Sequence, residues 1–282
     1  MTREDFRFLA GFLREQSGLV LSDDKTYLVE SRLVPVARRR GLAGLDALVA
    51  LVRGGSDPAV GGEVVEAMTT NESFFFRDIK PFDSLRDTVL PALVPARRAA
   101  GAGRIRIWSA ACASGQEPYS IAMLLAEHPA LLQGLTPEIV GTDLSSAVLA
   151  KAMDGLYTQF EAQRGLPIRL LVKYFRKVGA HWQIDEALRR AVALQQANLL
   201  HDLGHLGRFD IVFCRNVLIY FDAATRRDVV ARIAAMMAGD GYLVLGGAET
   251  VLGVSDAFTA VPGERGVYRA GGAGAVAMAK SA

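Results

Sequence analysis

The loop Ser109–Pro118 (SAACASGQEP) has the composition of a ligand-binding loop. Small residues such as Ala110 leave the backbone exposed at the end of an apolar segment, where a ligand can pack directly on main-chain groups. Gly115 is its only glycine, so the glycine-rich pattern that cradles a pyrophosphate is absent. Glu117 instead suits a cationic ligand, such as the sulfonium of S-adenosylmethionine (SAM). The competing interpretation is a tight turn whose glutamate caps the next helix.

Polar residues follow other apolar segments in the same manner. Asp143 is placed to accept hydrogen bonds from ribose hydroxyls, unless it only caps the following helix. Asn198 and Leu199, which we expect before the third strand, can supply an amide and an apolar face to an adenine. Arg215 and Asn216 follow the segment at 209–214, beside the same pocket. In isolation, Asn198 and Asn216 would be ordinary turn residues.

A third group of candidates lies in the segment TTNESFFFR, residues 69–77. The aromatic run Phe74–Phe76 would be costly to expose, so we expect it to pack at an interface between two domains. This packing would tether Arg77 and direct it into the ligand crevice. The alternative is a surface arginine in a solvated salt bridge.

The elements that must position these residues fall into two regions. Residues 1–70 show helical spacing of apolar residues and no alternating β-branched run, which predicts a helical domain. From Gly103 onward strands and helices alternate, which predicts a doubly wound α/β fold with a parallel sheet in a second domain, 71–270. The predicted strands are 104–108, 138–142, 209–214 and 241–246, and the predicted helices between and after them are 118–126, 145–153 and 223–237. Residues 165–197 are predicted to form a small β-rich insertion, and residues 271–282 a flexible tail.

Composition excludes several classes of protein. The 282 residues are 51% hydrophobic and 22% charged, with a formal net charge of +2, which is typical of a globular protein without a nucleic-acid bias. Cys112 and Cys214 are far apart, so neither a disulfide framework nor a zinc site is indicated. No apolar run reaches 18 residues, and the N-terminus lacks a signal peptide. We therefore predict a cytoplasmic protein without membrane insertion.

Taken together, the motifs resemble the CheR-type chemotaxis methyltransferases, which methylate glutamates on methyl-accepting chemoreceptors. The resemblance spans residues 69–269 strongly and the N-terminal helices more loosely. It is carried by TTNESFFFRD (69–78), WSAACASGQEPYSIAM (108–123), GTDLS (141–145), ANLL (197–200) and FDIVFCRNVLIYFD (209–222).

This resemblance implies a class I methyltransferase sheet closed by an antiparallel strand, here 266–269 against 258–261. It implies SAM as cofactor, S-adenosylhomocysteine (SAH) as product, and no metal. The implied SAM contacts are Asn71, Ser73, Arg77, Glu117, Asp143, Asn198, Leu199, Arg215 and Asn216. The sequence departs from the family pattern at Ser73, at Gln116, and at 246–249, where Gly-Gly-Ala-Glu replaces Gly-His-Ser-Glu.

The implied reaction needs position and charge rather than a catalytic histidine or cysteine. A glutamate carboxylate is ionised at neutral pH and attacks the methyl group without a general base. Arg77 is the best candidate to hold that carboxylate, and Tyr220 to orient it by a hydrogen bond. Residues 216–220 lack the prolines of a base methyltransferase motif, which argues against nucleic acid as a substrate.

Two expectations concern partners. The basic cluster Arg38–Arg40, with Arg32 on the same helix, would attract glutamate-rich receptor helices, or else it only complements its own helix dipole. In some relatives in the resembled family, the insertion binds a receptor's C-terminal pentapeptide. The link at 176–181 has a single glycine and resembles members that lack the glycine-rich loop of the pentapeptide binders, so the resemblance implies no tight pentapeptide binding. Nothing in the sequence demands more than a monomer. The alternatives are a SAM methyltransferase acting on another carboxylate and a signalling module that senses SAM or SAH.

Overall fold

A computed structural model describes residues 1–271 of the chain, so the tail expected at 271–282 lies outside the described residues except for Gly271. The contacts divide the chain into two compact units. Among the described residues, the first comprises 1–70 together with 220–225, and the second comprises 71–219 and 226–271.

The first unit is helical, as the sequence predicts. Its helices are α1 (Arg3–Ser17), α2 (Thr26–Arg39), α3 (Leu45–Gly54) and α4 (Pro58–Met68), with a 3₁₀ turn at Asp23–Lys25. The Thr2 side chain caps α1 by accepting from the amide of Asp5 at 3.1 Å. The apolar positions of each helix face inward to form a common core.

The basic cluster of α2 is only partly available to a partner. Arg40 forms ion pairs with Asp57 at 2.9 Å and Glu63 at 2.7 Å. Arg32 donates to the carbonyls at the end of α4, and both arginines therefore stabilise the helical unit itself. Arg38 and Arg39 are exposed, and no ion pair involves either of them within residues 1–271.

The second unit is built on a seven-stranded sheet. Its strands are β1 (Arg104–Ala110), β2 (Thr136–Asp143), β6 (Val192–Gln196), β7 (Phe209–Cys214), β8 (Met237–Leu245), β9 (Phe258–Ala260) and β10 (Val267–Ala270). They are ordered β6-β2-β1-β7-β8-β10-β9. Strands β6, β2, β1, β7 and β8 are parallel, and β10 pairs antiparallel with both β8 and β9. The predicted α/β class and the closing antiparallel strand are confirmed.

Helices cover this sheet and join its strands. They are α5 (Lys80–Ser84), α6 (Leu90–Ala99), α7 (Gln116–Glu127), α8 (Ser146–Asp154) and α12 (Ala223–Ala235), with 3₁₀ turns at Pro129–Leu132, Gly204–Leu206 and Leu218–Tyr220. A π-helical turn at Leu85–Val89 joins α5 to α6 just before Pro91. The parallel strands carry continuous buried runs because helices lie on both faces of such a sheet.

The insertion expected at 165–197 differs from the structure at both ends. A separate three-stranded sheet is formed by β3 (Leu156–Thr158), β5 (His181–Ile184) and β4 (Phe175–Val178), so it begins before residue 165. The segment expected to complete the insertion is β6, which instead pairs parallel with β2, Ile139 opposite Val192. Burial of Val192 against the core of the large sheet accounts for this. Short helices α9 (Gln159–Gln163), α10 (Ile168–Tyr174) and α11 (Glu186–Arg190) complete the region.

The aromatic run at 74–76 is also placed differently from the expectation. Phe75 is fully buried within the second unit, with its ring edge-on to Tyr157 at 5.1 Å and to Phe175 at 5.4 Å. The expectation that the run packs at a domain interface is therefore wrong for Phe75, which belongs to the core of one unit. Offset aromatic packing of this kind adds to the burial of apolar area and fixes the segment on the sheet unit.

None of the helices in residues 1–271 is both long enough and apolar enough to cross a membrane.

Candidate active site

The loop after β1 has an unusual backbone. Ala111 and Ala113 adopt positive φ angles of 56° and 49°, and Gly115 follows at 86°. Left-handed conformations are unfavourable for residues with a Cβ and persist where the surroundings enforce them, often at binding sites. The amide of Cys112 donates to the carbonyl of Thr142 at 2.9 Å, and this bond ties the loop to the end of β2.

Asp143 is the side chain that holds this loop. Its carboxylate accepts from the amide of Ala113 at 2.8 Å and from that of Ser145 at 2.9 Å, and the residue is 7% exposed. The side chain that caps α8 is Ser145, which accepts from the amide of Val148. Asp143 therefore does more than cap a helix: it joins the carboxyl ends of β1 and β2, the edge at which ligands bind in parallel sheets.

Arg215 is the buried centre of a charge cluster that reaches the surface at Asp78, whose side chain is 50% exposed. It donates to Glu117 at 2.9 Å, to Asp78 at 2.7 Å and to the carbonyl of Arg77 at 2.8 Å. Its side chain is 1% exposed, yet its Nε has no hydrogen-bond partner in the described chain. Burial of an unsatisfied guanidinium nitrogen is costly, so the hydrogen bonding of this cluster is incomplete in the described chain.

Glu117 is not a simple helix cap. Gly115 occupies the N-cap position of α7, and Glu117 accepts from the Ser109 hydroxyl at 2.7 Å as well as from Arg215. Two carboxylates, Glu117 and Asp78, share one guanidinium, so the cluster keeps one formal negative charge. This charge suits a cationic ligand. That Glu117 and Asp78 bind the same guanidinium was not predicted from the sequence.

Arg77 lies beside this cluster but is not neutralised by it. It donates to the carbonyl of Glu72 at 2.8 Å, and its guanidinium lies 5.5 Å from the ring of Phe74. Within residues 1–271, no carboxylate oxygen lies within 4.0 Å of its guanidinium nitrogens. The alternative interpretation, a surface arginine held in a salt bridge, is not supported, because no carboxylate in the described chain pairs with Arg77.

Asn71 and Ser73 line a cavity of about 370 Å³ together with Ser114 and Gln116 of the β1 loop. The other wall comes from α8 and from the segment between β3 and α10, namely Lys151, Thr158, Phe160, Glu161 and Arg164, with Glu72 from the same segment as Asn71. The cavity thus brings two predicted site residues to the loop that contains Glu117.

Asn198 and Leu199 precede β7, the third predicted strand, as the sequence predicts, and they come directly after β6, which was expected to belong to the insertion. The amide of Ala197 donates to the carbonyl of Asp143 at 2.9 Å, so this segment leaves the sheet at the edge marked by Asp143. Leu199 is 8% exposed, and the Asn198 side chain accepts from the amide of Leu200 at 3.0 Å. Ala110, the last residue of β1, is fully buried at the same edge.

Tyr220 belongs to a different unit from the other predicted site residues. By its contacts it belongs to the first unit, where its carbonyl accepts from the amide of Val20 at 3.0 Å, and it is half-buried. The other predicted site residues belong to the second unit.

Asp78, Ser109 and Glu249 make contacts in the site that were not predicted from the sequence. The Glu249 carboxylate accepts backbone amides after β7 and β8 at distances of 2.7 to 2.9 Å. Its place beside the unusual residues 246–248 was a signal. Asp78 lies directly after Arg77, in a motif that had already been singled out.

The two cysteines are not nucleophiles. Burial raises the pKa of the Cys112 thiol well above its usual value, and the carboxylates of Asp143 and Glu117 raise it further. Burial likewise raises the pKa of Cys214. Both thiols therefore stay protonated and serve as packing residues. Within residues 1–271 no three His, Cys, Asp or Glu side chains are grouped so as to hold a metal ion.

Two family models match nearly the whole chain. The model described as "CheR methyltransferase, SAM binding domain" matches residues 71–267, and the one described as "CheR methyltransferase, all-alpha domain" matches residues 4–69. The first match covers the loop, the buried cluster and the cavity described above.

Three relatives are similar in sequence over 90% or more of their length. The chain is 42% identical to chemotaxis protein methyltransferase 1 of Pseudomonas aeruginosa, over 94% of this chain and 97% of that protein. It is 39% identical to chemotaxis protein methyltransferase Cher2 of Pseudomonas putida, with 93% and 96% covered. A chemotaxis protein methyltransferase of Borreliella burgdorferi is 32% identical, with 90% of each chain covered. The chain belongs to the CheR methyltransferase family and is a SAM-dependent methyltransferase.

Proposed function

We propose that this protein transfers the methyl group of SAM to glutamate carboxylates on the cytoplasmic helices of methyl-accepting chemotaxis receptors, forming methyl esters and SAH. The observation that carries the proposal is the state of Arg77. Arg215 and Arg164 beside it are both paired with carboxylates, whereas Arg77 has no such partner in the described chain. A guanidinium that is not hydrogen-bonded to a carboxylate in the described residues, next to a SAM site, suits an incoming carboxylate acceptor.

The residues at the sheet edge fit SAM. Asp143 is proposed to accept from the ribose hydroxyls, and Asn198 and Leu199 to contact the adenine. The residual negative charge of the buried cluster matches the cationic end of the cofactor. Asn71, Ser73, Ala110 and Asn216 are proposed to complete the pocket.

The chain's own residues need only position the acceptor. SAM supplies an electrophilic methyl group on a sulfonium. A glutamate carboxylate, ionised above its usual pKa near 4.3, brings its own lone pair, so no protein base must remove a proton. Arg77 is proposed to fix one acceptor oxygen while the other remains available for attack. The Phe74 ring and the Glu72 carbonyl restrain Arg77, which lowers the entropic cost of that placement.

Tyr220 keeps the role predicted from the sequence, orientation of the acceptor through its phenol. The proposal for this residue rests on the sequence motif alone. Tyr220→Phe removes only the hydroxyl, and we expect a loss of turnover with unchanged SAM affinity.

The receptor is proposed to approach the helical unit through Arg38 and Arg39. Both residues are exposed, and neither forms an ion pair within 4.0 Å in the described residues, in contrast to Arg40. An acidic receptor helix would be attracted to this pair, with an interaction that weakens as salt rises.

We further propose that the protein does not bind a receptor C-terminal pentapeptide tightly. The β4–β5 hairpin turns within Gly179–Ala180, without a glycine-rich loop, which supports the absence of tight pentapeptide binding. A low-micromolar affinity for a receptor C-terminal pentapeptide would contradict this point. We also propose a cytoplasmic monomer that does not insert into the membrane and does not act on nucleic acid.

The test is transfer of labelled methyl groups from SAM to receptor-containing membranes. Base-labile label on the receptor, lost when the modified glutamates are replaced by alanine, is the expected result. Label on a different protein or on a small acid would favour another carboxylate substrate. SAM binding without any transfer would favour a sensing module. This chain has all four of Arg77, Glu117, Asp143 and Tyr220, and their presence together favours an enzyme over that module.

A further inference from the structure

The carboxylate of Glu249 is buried among backbone amides alone. Its Oε2 accepts from the amides of Asn216 at 2.7 Å and Gly246 at 2.8 Å, and its Oε1 from those of Val217 at 2.9 Å and Leu218 at 2.8 Å. The residue is 9% exposed, and in residues 1–271 no cationic side chain lies within 4.0 Å of it. All four acceptor sites of the carboxylate are therefore occupied by main-chain donors.

We propose that Glu249 is a positioning residue for SAM binding, because it fixes the loop Asn216–Leu218 that continues from Arg215. This inference rests on the proposed cofactor roles of Arg215 and Asn216. Neither family resemblance nor local sequence assigns Glu249 a role.

The backbone of the loop needs such support. Asn216 has a φ of 59°, a left-handed conformation that a residue with a Cβ keeps only where its surroundings enforce it. Its amide is the donor of the shortest of the four bonds to Glu249. Release of that bond would let Asn216 relax, and would shift its side chain and the adjoining Arg215.

The same carboxylate joins the ends of two parallel strands. A Cβ on Gly246, after β8, would lie 2.7 Å from Oε2 of Glu249 and 2.9 Å from Nδ2 of Asn216, closer than packing allows. Gly246 is thus required by this close approach. Gly247 and Ala248, where the family pattern differs, are exposed and make none of these four contacts. The difference from the family pattern therefore affects neither the Glu249 carboxylate nor its close contact with Gly246.

Glu249→Gln is the test of this role. A glutamine has one oxygen for two of the four amides, and its NH₂ group faces the other two donors. We expect the dissociation constant for SAM, measured by calorimetry on the full chain, to rise at least 10-fold. We also expect Gly246→Ala to raise it about 3-fold or more, which tests the same contact if the glutamine variant does not fold.

Asp210→Asn is the matched control. Asp210 lies at the opposite end of β7 and accepts from the amide of Arg106 at 2.8 Å and from Nε of Arg97 at 2.5 Å, so its replacement destabilises the same strand without touching the loop. Urea unfolding of each variant measures that destabilisation separately. We expect less than a 2-fold change in SAM affinity for Asp210→Asn, even where its loss of stability matches that of Glu249→Gln.

Unchanged SAM affinity in both Glu249→Gln and Gly246→Ala would overturn the proposal. An equal loss of affinity in Asp210→Asn would overturn it too, because the effect would then follow stability alone. SAM binding is read without a receptor, so a wild-type protein that binds SAM but fails to methylate receptors would refute the proposed function and leave this inference standing.

Discussion

At each end of the central strands an arginine lies between two carboxylates, but the two arginines differ in how completely they are hydrogen-bonded. At the amino end, Arg97 lies between Asp210 and Asp240 and uses its Nε and both terminal nitrogens. At the carboxyl end, Arg215 lies between Glu117 and Asp78. Each is an arginine between two carboxylates within one unit, yet only the first has a partner for every guanidinium nitrogen.

The backbone around the cluster at the carboxyl end is also the more strained of the two. Positive φ angles at Ala111, Ala113 and Asn216 surround the carboxyl end, and Arg215 keeps an unpartnered Nε there. At the amino end, Asp240 holds its charge because the hydrogen bonds from Arg97 lower its pKa. A satisfied network stabilises the fold, whereas a strained and incompletely satisfied one marks the place where a ligand completes the structure.

Exchanging each arginine for methionine gives the largest expected effects and tests this contrast. Arg97→Met leaves two carboxylates unpaired and should lower the free energy of unfolding by about 3 kcal/mol with kcat/KM nearly unchanged. Arg215→Met should lower kcat/KM by about 100-fold or more, the equivalent of about 3 kcal/mol. Urea unfolding and methyl transfer to receptor membranes measure the two quantities. Equal activity losses in both variants would break the comparison.

A second arginine at the carboxyl end should have a smaller effect. Arg164 pairs with Glu72 at 2.6 Å and lies 4.4 Å from the Phe74 ring, so it restrains the segment that ends in Arg77. The pair is partly exposed, and Arg164→Ala should lower kcat/KM about 5- to 10-fold through about 1 kcal/mol of lost restraint.

Arg169→Ala is the matched control for Arg164. Arg169 is more exposed and pairs with Glu127, away from the β1 loop. Its removal should leave kcat/KM within about 2-fold of wild type, a change smaller than one modest contact. A kcat/KM that is equal in the two variants would show that Arg164 does not support the site.

Glu127 allows a test by pH of a purely structural cluster. Hydrogen bonds from Lys173 and Tyr174, and then from Arg169, lower its pKa to about 2. A carboxyl whose pKa is lower in the folded state stabilises it above the unfolded pKa near 4.5, and this contribution is lost as pH falls from there toward 2. The stability difference between wild type and Glu127→Gln should thus be constant above pH 6 and shrink below pH 4.5. Denaturation curves at stepped pH check it, and a difference that grows with acidity would contradict it.

The smallest effect is expected in the helical unit, where paired and unpaired arginines again differ. Joint replacement of Arg38 and Arg39 by glutamine should raise the KM for receptor about 3-fold at low salt, with little change at high salt. Arg40→Gln should instead lower stability, because it breaks its ion pairs with Asp57 and Glu63. A salt-independent KM in the double variant would indicate that the two arginines only complement their helix.

How much the sequence predicts depends on the range of the interaction. The β1 loop and Asp143 could be recognised, because small and acidic residues after apolar strands reflect local structure. The pairing of Arg215 with Asp78 could not, since 137 residues separate them and only the folded sheet joins them. The edge strand β6 was assigned to the insertion because a five-residue segment has too weak a pattern to name its partner strand. The contacts of Glu249 could not be predicted for a different reason: its partners are backbone amides, whose identity no residue type encodes.

The most direct test of the proposed reaction is single-turnover methyl transfer by SAM-loaded Arg77→Ala on receptor membranes, combined with its affinity for SAM. We predict a transfer rate about 100-fold below wild type, equivalent to about 3 kcal/mol, with a SAM dissociation constant within about 3-fold of wild type. Equal losses of rate and affinity would contradict the assignment of Arg77 to the acceptor carboxylate.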